Sequence, residues 1–260
     1  MGRRSGGSGG SGERPRRASV LAVAGASGGV GASVLAAAVA VRAHRAGVSA
    51  VLVDAAPLSG GLDVVLGLEQ DAGIRWPDLG GLVGAADGRA LLSRLPSAAG
   101  LPVLSFDRVE AHPPPDVAAA VVDALVTERE LVVVALALLG EPVAEAGLAA
   151  ATQVVLVSGP GLRDLSALSV AADHVRARSA TAVVPELAVC LRGRPRALAD
   201  VARLVESETG VPVVFTLDDD PRVGADLVHG FAPGSRGGGG LVATADEVLG
   251  WAVLPGRGVS

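Results

Sequence analysis

From Ser19 to Val253 the chain keeps returning to one pattern, a short unbroken run of Val, Leu and Ala followed by a longer segment with helical spacing. The short runs are Ser19–Ala24, Ala50–Asp54, Pro102–Phe106, Leu131–Leu136, Gln153–Ser158, Leu187–Leu191 and Pro212–Thr216. Their hydrophobicity is continuous rather than alternating, so the pattern predicts strands buried on both faces, as in a parallel sheet. Helices are expected at Ser33–Ala46, Trp76–Val83, Asp87–Leu95, Pro114–Glu128, Gly161–Arg178, Arg196–Thr209 and Leu241–Val253. Strands alternating with helices imply a three-layer α/β/α, doubly wound, mostly parallel sheet of about seven strands. One such domain uses residues 18–255, between a Gly/Ser/Arg tail at 1–17 and a short tail at 256–260.

Composition removes several kinds of chemistry. Half of the 260 residues are hydrophobic and 19% are charged, which excludes a disordered chain. All 22 basic residues are Arg, and neither Lys nor Tyr occurs. Schiff-base chemistry, a Walker lysine and a Tyr-Lys hydride-transfer pair are therefore excluded. The lone Cys190 cannot form an internal disulfide, and His44, His112, His174 and His229 show no metal-ligand spacing.

Residues 1–17 carry five Arg and one Glu, a net +4, which leaves −9 for the rest of the chain. An acidic body is a poor partner for nucleic acid. Arg16-Arg17 ahead of an apolar stretch superficially matches a twin-arginine export signal. Gly28, Gly29 and Gly31 interrupt that stretch, which reads better as a buried strand and a turn. No run reaches the roughly 18 to 20 apolar residues of a membrane span, so a cytoplasmic protein without a transmembrane segment is expected.

The segment Gly25–Ser33, GASGGVGAS, stands between the first strand and the first helix. Backbone N–H groups of such a turn, together with a helix N-terminus, can receive an anion. Two spacings coexist. Gly25, Gly29 and Gly31 match the turn of short-chain dehydrogenases, with Asp54 placed for a ribose hydroxyl; lacking Tyr and Lys, that reading leaves at most a non-catalytic dinucleotide sensor. The other spacing sets Ser27 to Ser33 against the K-G-G-x-G-K-[ST] turn of deviant Walker-A ATPases.

The wider sequence favours the second spacing. Val51–Leu82, followed by LPVLSFDR at Leu101–Arg108, resembles the CpaE-like, septum site-determining branch of the MinD/ParA ATPase family. The resemblance spans about residues 19 to 253 and implies a MinD-like P-loop fold. It also implies a signature lysine at Ser27, a phosphate-neutralising lysine at Ala32, a water-orienting carboxylate at Ala56 and a Walker-B carboxylate at Ala135. Only Ser33, the position of a magnesium-binding hydroxyl, and Asp54 remain of that polar machinery. Phosphoryl transfer depends on positioning and charge neutralisation, so this pattern predicts a degenerate, non-hydrolysing ATPase.

The resemblance further implies remnant nucleotide contacts at Gly28, Gly29, Gly31, Ala32, Ser33 and Asp54, with Asp220 and Pro221 near the adenine. No cofactor is required on this reading, and ATP or ADP with Mg2+ would bind weakly. The implied partners are a second copy of the chain, a secretion or pilus motor ATPase, or septum and polar proteins. Recruitment to the pole or septum is the matching expectation. A MinD-type basic membrane helix is not expected, because the last helix, Leu241–Val253, carries Asp246 and Glu247 and no basic residue, the next one being Arg257.

Plainer roles are open beside these. The glycines can serve only to pack the first helix on the sheet, and Asp54 only to cap a loop. Asp218-Asp219-Asp220 can cap a helix at Pro221 instead of holding a cation. Trp76-Pro77-Asp78 starts a helix or offers an aromatic anchor to a partner. An active ATPase completed by a partner's arginine is the remaining enzymatic alternative.

Overall fold

The computed structural model describes residues 18–108, 112–137, 140–179 and 184–253. The tails expected at 1–17 and 256–260 lie outside the described residues. In chain order the elements are β1 (Ser19–Gly25), α1 (Ala32–Arg45), β2 (Ala50–Ala55), α2 (Leu62–Leu66), a 3-10 turn (Trp76–Leu79), α3 (Gly88–Leu92), β3 (Ser97–Ala98), β4 (Leu101–Leu104) and α4 (Pro115–Glu128). There follow β5 (Leu131–Leu136), α5 (Pro142–Ala150), β6 (Gln153–Ser158), α6 (Leu162–Ser179), β7 (Glu186–Arg192), α7 (Pro195–Thr209), β8 (Val213–Leu217), α8 (Pro221–Val228) and α9 (Gly240–Val253).

The strands form one sheet in the order β3-β4-β2-β5-β1-β6-β7-β8, parallel throughout except for the β3–β4 pair. The three-layer α/β/α architecture is therefore present, with eight strands where the pattern suggested about seven. The additional strand is the two-residue β3, which turns back through Ala99 and Gly100, both at positive φ. Two residues are too few to carry a hydrophobic period. The helices α2, α5 and α8 also escape the pattern, and the helix expected at Trp76–Val83 is a single 3-10 turn.

Alternate residues of each central strand feed two cores. Val20, Ala22 and Ala24 of β1 face the core that holds Val117, Val121 and Leu125 of α4. Leu21 and Val23 face the opposite core, where α1 and α9 lie. The buried stripe of α1 is mostly alanine, Ala36, Ala37, Ala38, Ala40 and Ala43, and such short side chains let the helix sit close to the sheet and to α9. Trp76 is fully buried on the α4 side, its ring 6.1 Å from that of Phe106. An anchor for a partner has to be exposed, so the partner-surface reading of Trp76 is corrected to a core role.

Candidate glycine-turn site

The first connection leaves the sheet at its centre. From β1 the chain crosses to β2 and β4 on one side, returns to β5 beside β1, and continues to β6 on the other side. The carboxyl ends of β1, β5 and β6 thus enclose the crevice at the topological switch point, where ligands of open α/β sheets bind.

Local geometry explains the glycines of Gly25–Ser33. A Cβ on Gly25 would lie 2.9 Å from the Ser27 carbonyl oxygen, so the chain folds tightly there only without a side chain. Gly29 and Gly31 have φ of 78° and 96°, in the left-handed region that suits glycine. The Ala26 N–H donates to the Val157 carbonyl at 2.9 Å, which ties the turn to β6. Buried Val30 anchors its middle. Gly31 caps α1, and the Leu35 N–H donates to its carbonyl at 2.9 Å. Ala32 and Ser33 are the first two residues of α1, at the end where free N–H groups carry partial positive charge.

Ser27, Ala32, Ala56 and Ala135 are uncharged and lie at or near the turn and the ends of β2 and β5. Ala32 contributes only a methyl at the start of α1. Ala135, 2% exposed near the end of β5, pairs with Val23 on one side and Asp54 on the other. Ala56 is buried just beyond β2. The Ser27 hydroxyl donates to Asp164 Oδ1 at 2.6 Å, so the side chain at the turn's start faces α6 of its own chain.

Asp54 is buried and fully engaged. Its Oδ1 accepts the Ala56 N–H at 3.0 Å and its Oδ2 accepts the Leu62 N–H at 3.0 Å, while its carbonyl accepts the Trp76 Nε1–H at 2.8 Å. Burial pushes its carboxyl up to about 6, against the pull of the two backbone hydrogen bonds. The geometry is that of a clasp across the loop from Ala56 to Leu62. A cavity of about 240 Å3 opens beside that loop, lined by Asp54, Ala56, Ser59, Arg108 and His112 among others. Arg108 pairs there with buried Asp63 at 3.1 Å, and His112 lies 3.4 Å from Glu141.

Asp220 caps α8 by accepting the Arg222 N–H at 3.0 Å, and Pro221 is the first residue of that helix. The Arg222 side chain bonds to the same carboxylate and holds its pKa below the ordinary value. The capping role is thus the one the structure displays for this pair. The two residues line an open depression with Asp218, Asp219 and Arg194.

One charged group at the turn was not legible in the sequence. Arg192, at the end of β7, donates from Nη1 to the Gly29 carbonyl at 3.0 Å and from Nε to Asp219 Oδ1 at 2.6 Å. The sequence holds no arginine between Arg17 and Arg42, and nothing local to the turn announces one 163 residues away. Only the strand order β1-β6-β7 brings it there.

These donors fit an anion better than a metal. The turn and the first turn of α1 offer backbone N–H groups, whereas no three or more His, Cys, Asp or Glu among the described residues cluster to hold a cation. Ser33 supplies one hydroxyl at the start of α1, and Ala56 and Ala135 offer no side-chain oxygen. Mg2+ beside a nucleotide takes most of its ligands from phosphate oxygens and water, so of these residues Ser33 would be the one to hold it.

No protein-family model matches the chain. Two uncharacterized proteins, from two strains of Mycobacterium tuberculosis, are each 35% identical to it over 249 residues, covering 92% of this chain. The chain spans 65% of the length of those relatives. Among solved structures, a ParA family ATPase from Chlorobium tepidum has a TM-score of 0.71 at 14% identity, covering 92% of this chain and 99% of that one. A chain of the MinC:MinD cell division protein complex of Aquifex aeolicus gives 0.69 at 17%, covering 92% and 99%. Pyrococcus horikoshii MinD with Mg-ADP gives 0.67 at 18%, covering 89% and 96%. No helix among the described residues is long and apolar enough to cross a membrane. Layers, sheet and glycine turn together give the chain the fold of the MinD and ParA ATPases.

Proposed function

We propose that the chain is a non-hydrolysing, CpaE-like member of the MinD/ParA group that acts as a positioning or scaffolding factor. Septum placement and Tad-type pilus or secretion assembly are the settings the resemblance implies. The carrying observation is the absence of charge at all four positions where that machinery needs it: Ser27, Ala32, Ala56 and Ala135. Two of these, Ala56 and Ala135, are buried, and Ser27 is already bonded to Asp164. In related chemistry one well-placed donor is worth about 3 kcal/mol of transition-state stabilisation, so losing four charged groups leaves turnover at background.

Partner contact is the working activity on this reading, with a second copy of the chain, a motor ATPase or a septal or polar protein as partner. The protein then works in the cytoplasm and is recruited to the pole or septum. MinD is found with MinC in the complex from Aquifex aeolicus, which supports partner binding as a use of this fold. Any dimer would form without nucleotide, because the lysine implied to reach across it is Ser27 here. Nucleotide contact, where it occurs, uses the backbone of Gly28 to Ser33.

A second reading is an ATPase that uses the backbone amides of the turn and a partner's arginine, and it is favoured by the N–H groups at the start of α1. A dinucleotide sensor is less well supported, since both Asp54 carboxylate oxygens already accept backbone N–H groups instead of standing free for a ribose. The deciding experiment follows phosphate release from Mg-ATP by wild type and Ser33→Ala, alone and with the motor ATPase encoded nearest to this gene. Phosphate release no faster than that of the motor ATPase alone supports the non-hydrolysing reading. Added turnover that Ser33→Ala abolishes would overturn it in favour of the second reading.

A further inference from the structure

The glycine turn is gripped from two sides by side chains that come from distant parts of the chain. Toward β6, Ser27 Oγ donates to Asp164 Oδ1 at 2.6 Å. Asp164 lies in the first turn of α6, and its carboxylate packs so closely on Gly159 that a Cβ there would collide with it. Toward β7, Arg192 bonds the Gly29 carbonyl at 3.0 Å and is itself held by Asp219 at 2.6 Å.

Gly28, Gly29 and Gly31 give an unbraced turn a wide choice of backbone conformations, and selecting one of them costs entropy. A bound ligand is one source of the compensating contacts. Here both come from the chain, and each involves a charged group, the stronger kind of hydrogen bond. The Arg192 contact also runs against the local field. A guanidinium near the N-terminus of α1 meets the positive end of the helix dipole, and the first turn of that helix contains no acidic residue. Asp219 and the Gly29 carbonyl supply the opposing negative charge.

We infer that Arg192 and Asp164 are intramolecular braces that hold the glycine turn in one conformation in the free protein. The shape of the turn then does not depend on a bound nucleotide. This deepens the non-hydrolysing reading, with which it shares the Ser27–Asp164 bond, while the Arg192 brace stands apart from it.

Amide hydrogen exchange, followed by NMR in the full chain, tests it. The reporters are the Ala26 N–H bonded to Val157 and the Leu35 N–H bonded to Gly31, which close the two ends of the turn. Each should exchange about tenfold faster in Arg192→Ala or Asp164→Ala, the loss expected for a charge-assisted bond. The β5 amides from Leu131 to Leu136 should keep their rates. Mg-ATP should change the wild-type rates by less than about twofold. Unchanged rates in both variants would overturn the inference, as would slowing of the wild-type reporters by Mg-ATP of about tenfold. If either variant loses β5 protection, Asp219→Asn and Ser27→Ala replace it under the same criteria. Phosphate release by the wild type bears on the non-hydrolysing reading alone and leaves the exchange result standing.

Discussion

The indole N–H of Trp76 donates to the backbone carbonyl of Asp54 at 2.8 Å, joining the 3-10 turn to the end of β2 inside the core. The same aspartate clasps the following loop through its carboxylate, so one buried pair fixes both the strand end and the connection after it. Trp76→Phe keeps most of the volume and leaves that carbonyl without its donor. The expected cost is about 1 to 3 kcal/mol, read as a lower midpoint in urea unfolding.

Asp54 should make stability fall as pH rises. Its carboxyl sits at about 6 in the folded chain against an ordinary 3.8, so between those values the folded state holds the proton more tightly than the unfolded state. The penalty is absent below the ordinary value, grows as pH rises through 6, and is constant above. Its size is about 3 kcal/mol at most, from about 1.4 kcal/mol per pKa unit. Asp54→Asn should flatten that slope in unfolding curves taken from pH 4 to pH 7.5. An unchanged slope would mean that other groups carry it.

Gly147 of α5 rests directly on β5, where an added Cβ would lie 2.8 Å from Val134 Cγ1. Gly147→Ala gains helix propensity of about 1 kcal/mol and meets that clash. Overpacking of this kind costs about 1 to 3 kcal/mol, so net destabilisation is expected in thermal unfolding. A higher midpoint would show that α5 lifts off the strand at little cost.

Cys190 is buried in β7, and burial pushes its thiol up to about 12. Thiolate is the reactive form, so an aromatic disulfide reagent at neutral pH should label the protein only after denaturant is added. Rapid labelling of the native chain would place β7 in an opened state.

Restoring one lysine should not restore catalysis. Ala32→Lys supplies a cation at the start of α1, but Ala56 and Ala135 remain without carboxylates. Phosphate release from Mg-ATP should stay at background in this variant, while binding of ATP, measured by titration calorimetry, should rise about tenfold or more from the added charge contact.

Much of the architecture follows from local sequence. Unbroken Val/Leu/Ala runs such as Leu131–Leu136 leave no polar face, and burial on both sides requires a parallel sheet between helices. The glycine turn is equally local, since positive φ at Gly29 and Gly31 is a property of those residues and their immediate neighbours. That Ser27, Ala32, Ala56 and Ala135 carry no charge is read directly from the chain.

Short elements have no such signal: β3 has two residues and α2 five, too few for a period, and α5 and α8 each open on a proline in what otherwise reads as connecting chain. Whether Trp76 faced a partner or the core was likewise beyond local pattern, because its burial depends on Phe106 arriving from β4's far end. The contacts at the turn lie further still from the sequence. Ser27 meets Asp164 across 137 residues and Gly29 meets Arg192 across 163. Which strand ends adjoin is a matter of how the sheet is ordered, and sheet order is decided by the packing of the whole chain. Local sequence therefore determined an uncharged, glycine-rich turn, and only the tertiary structure decided which distant charged side chains meet it.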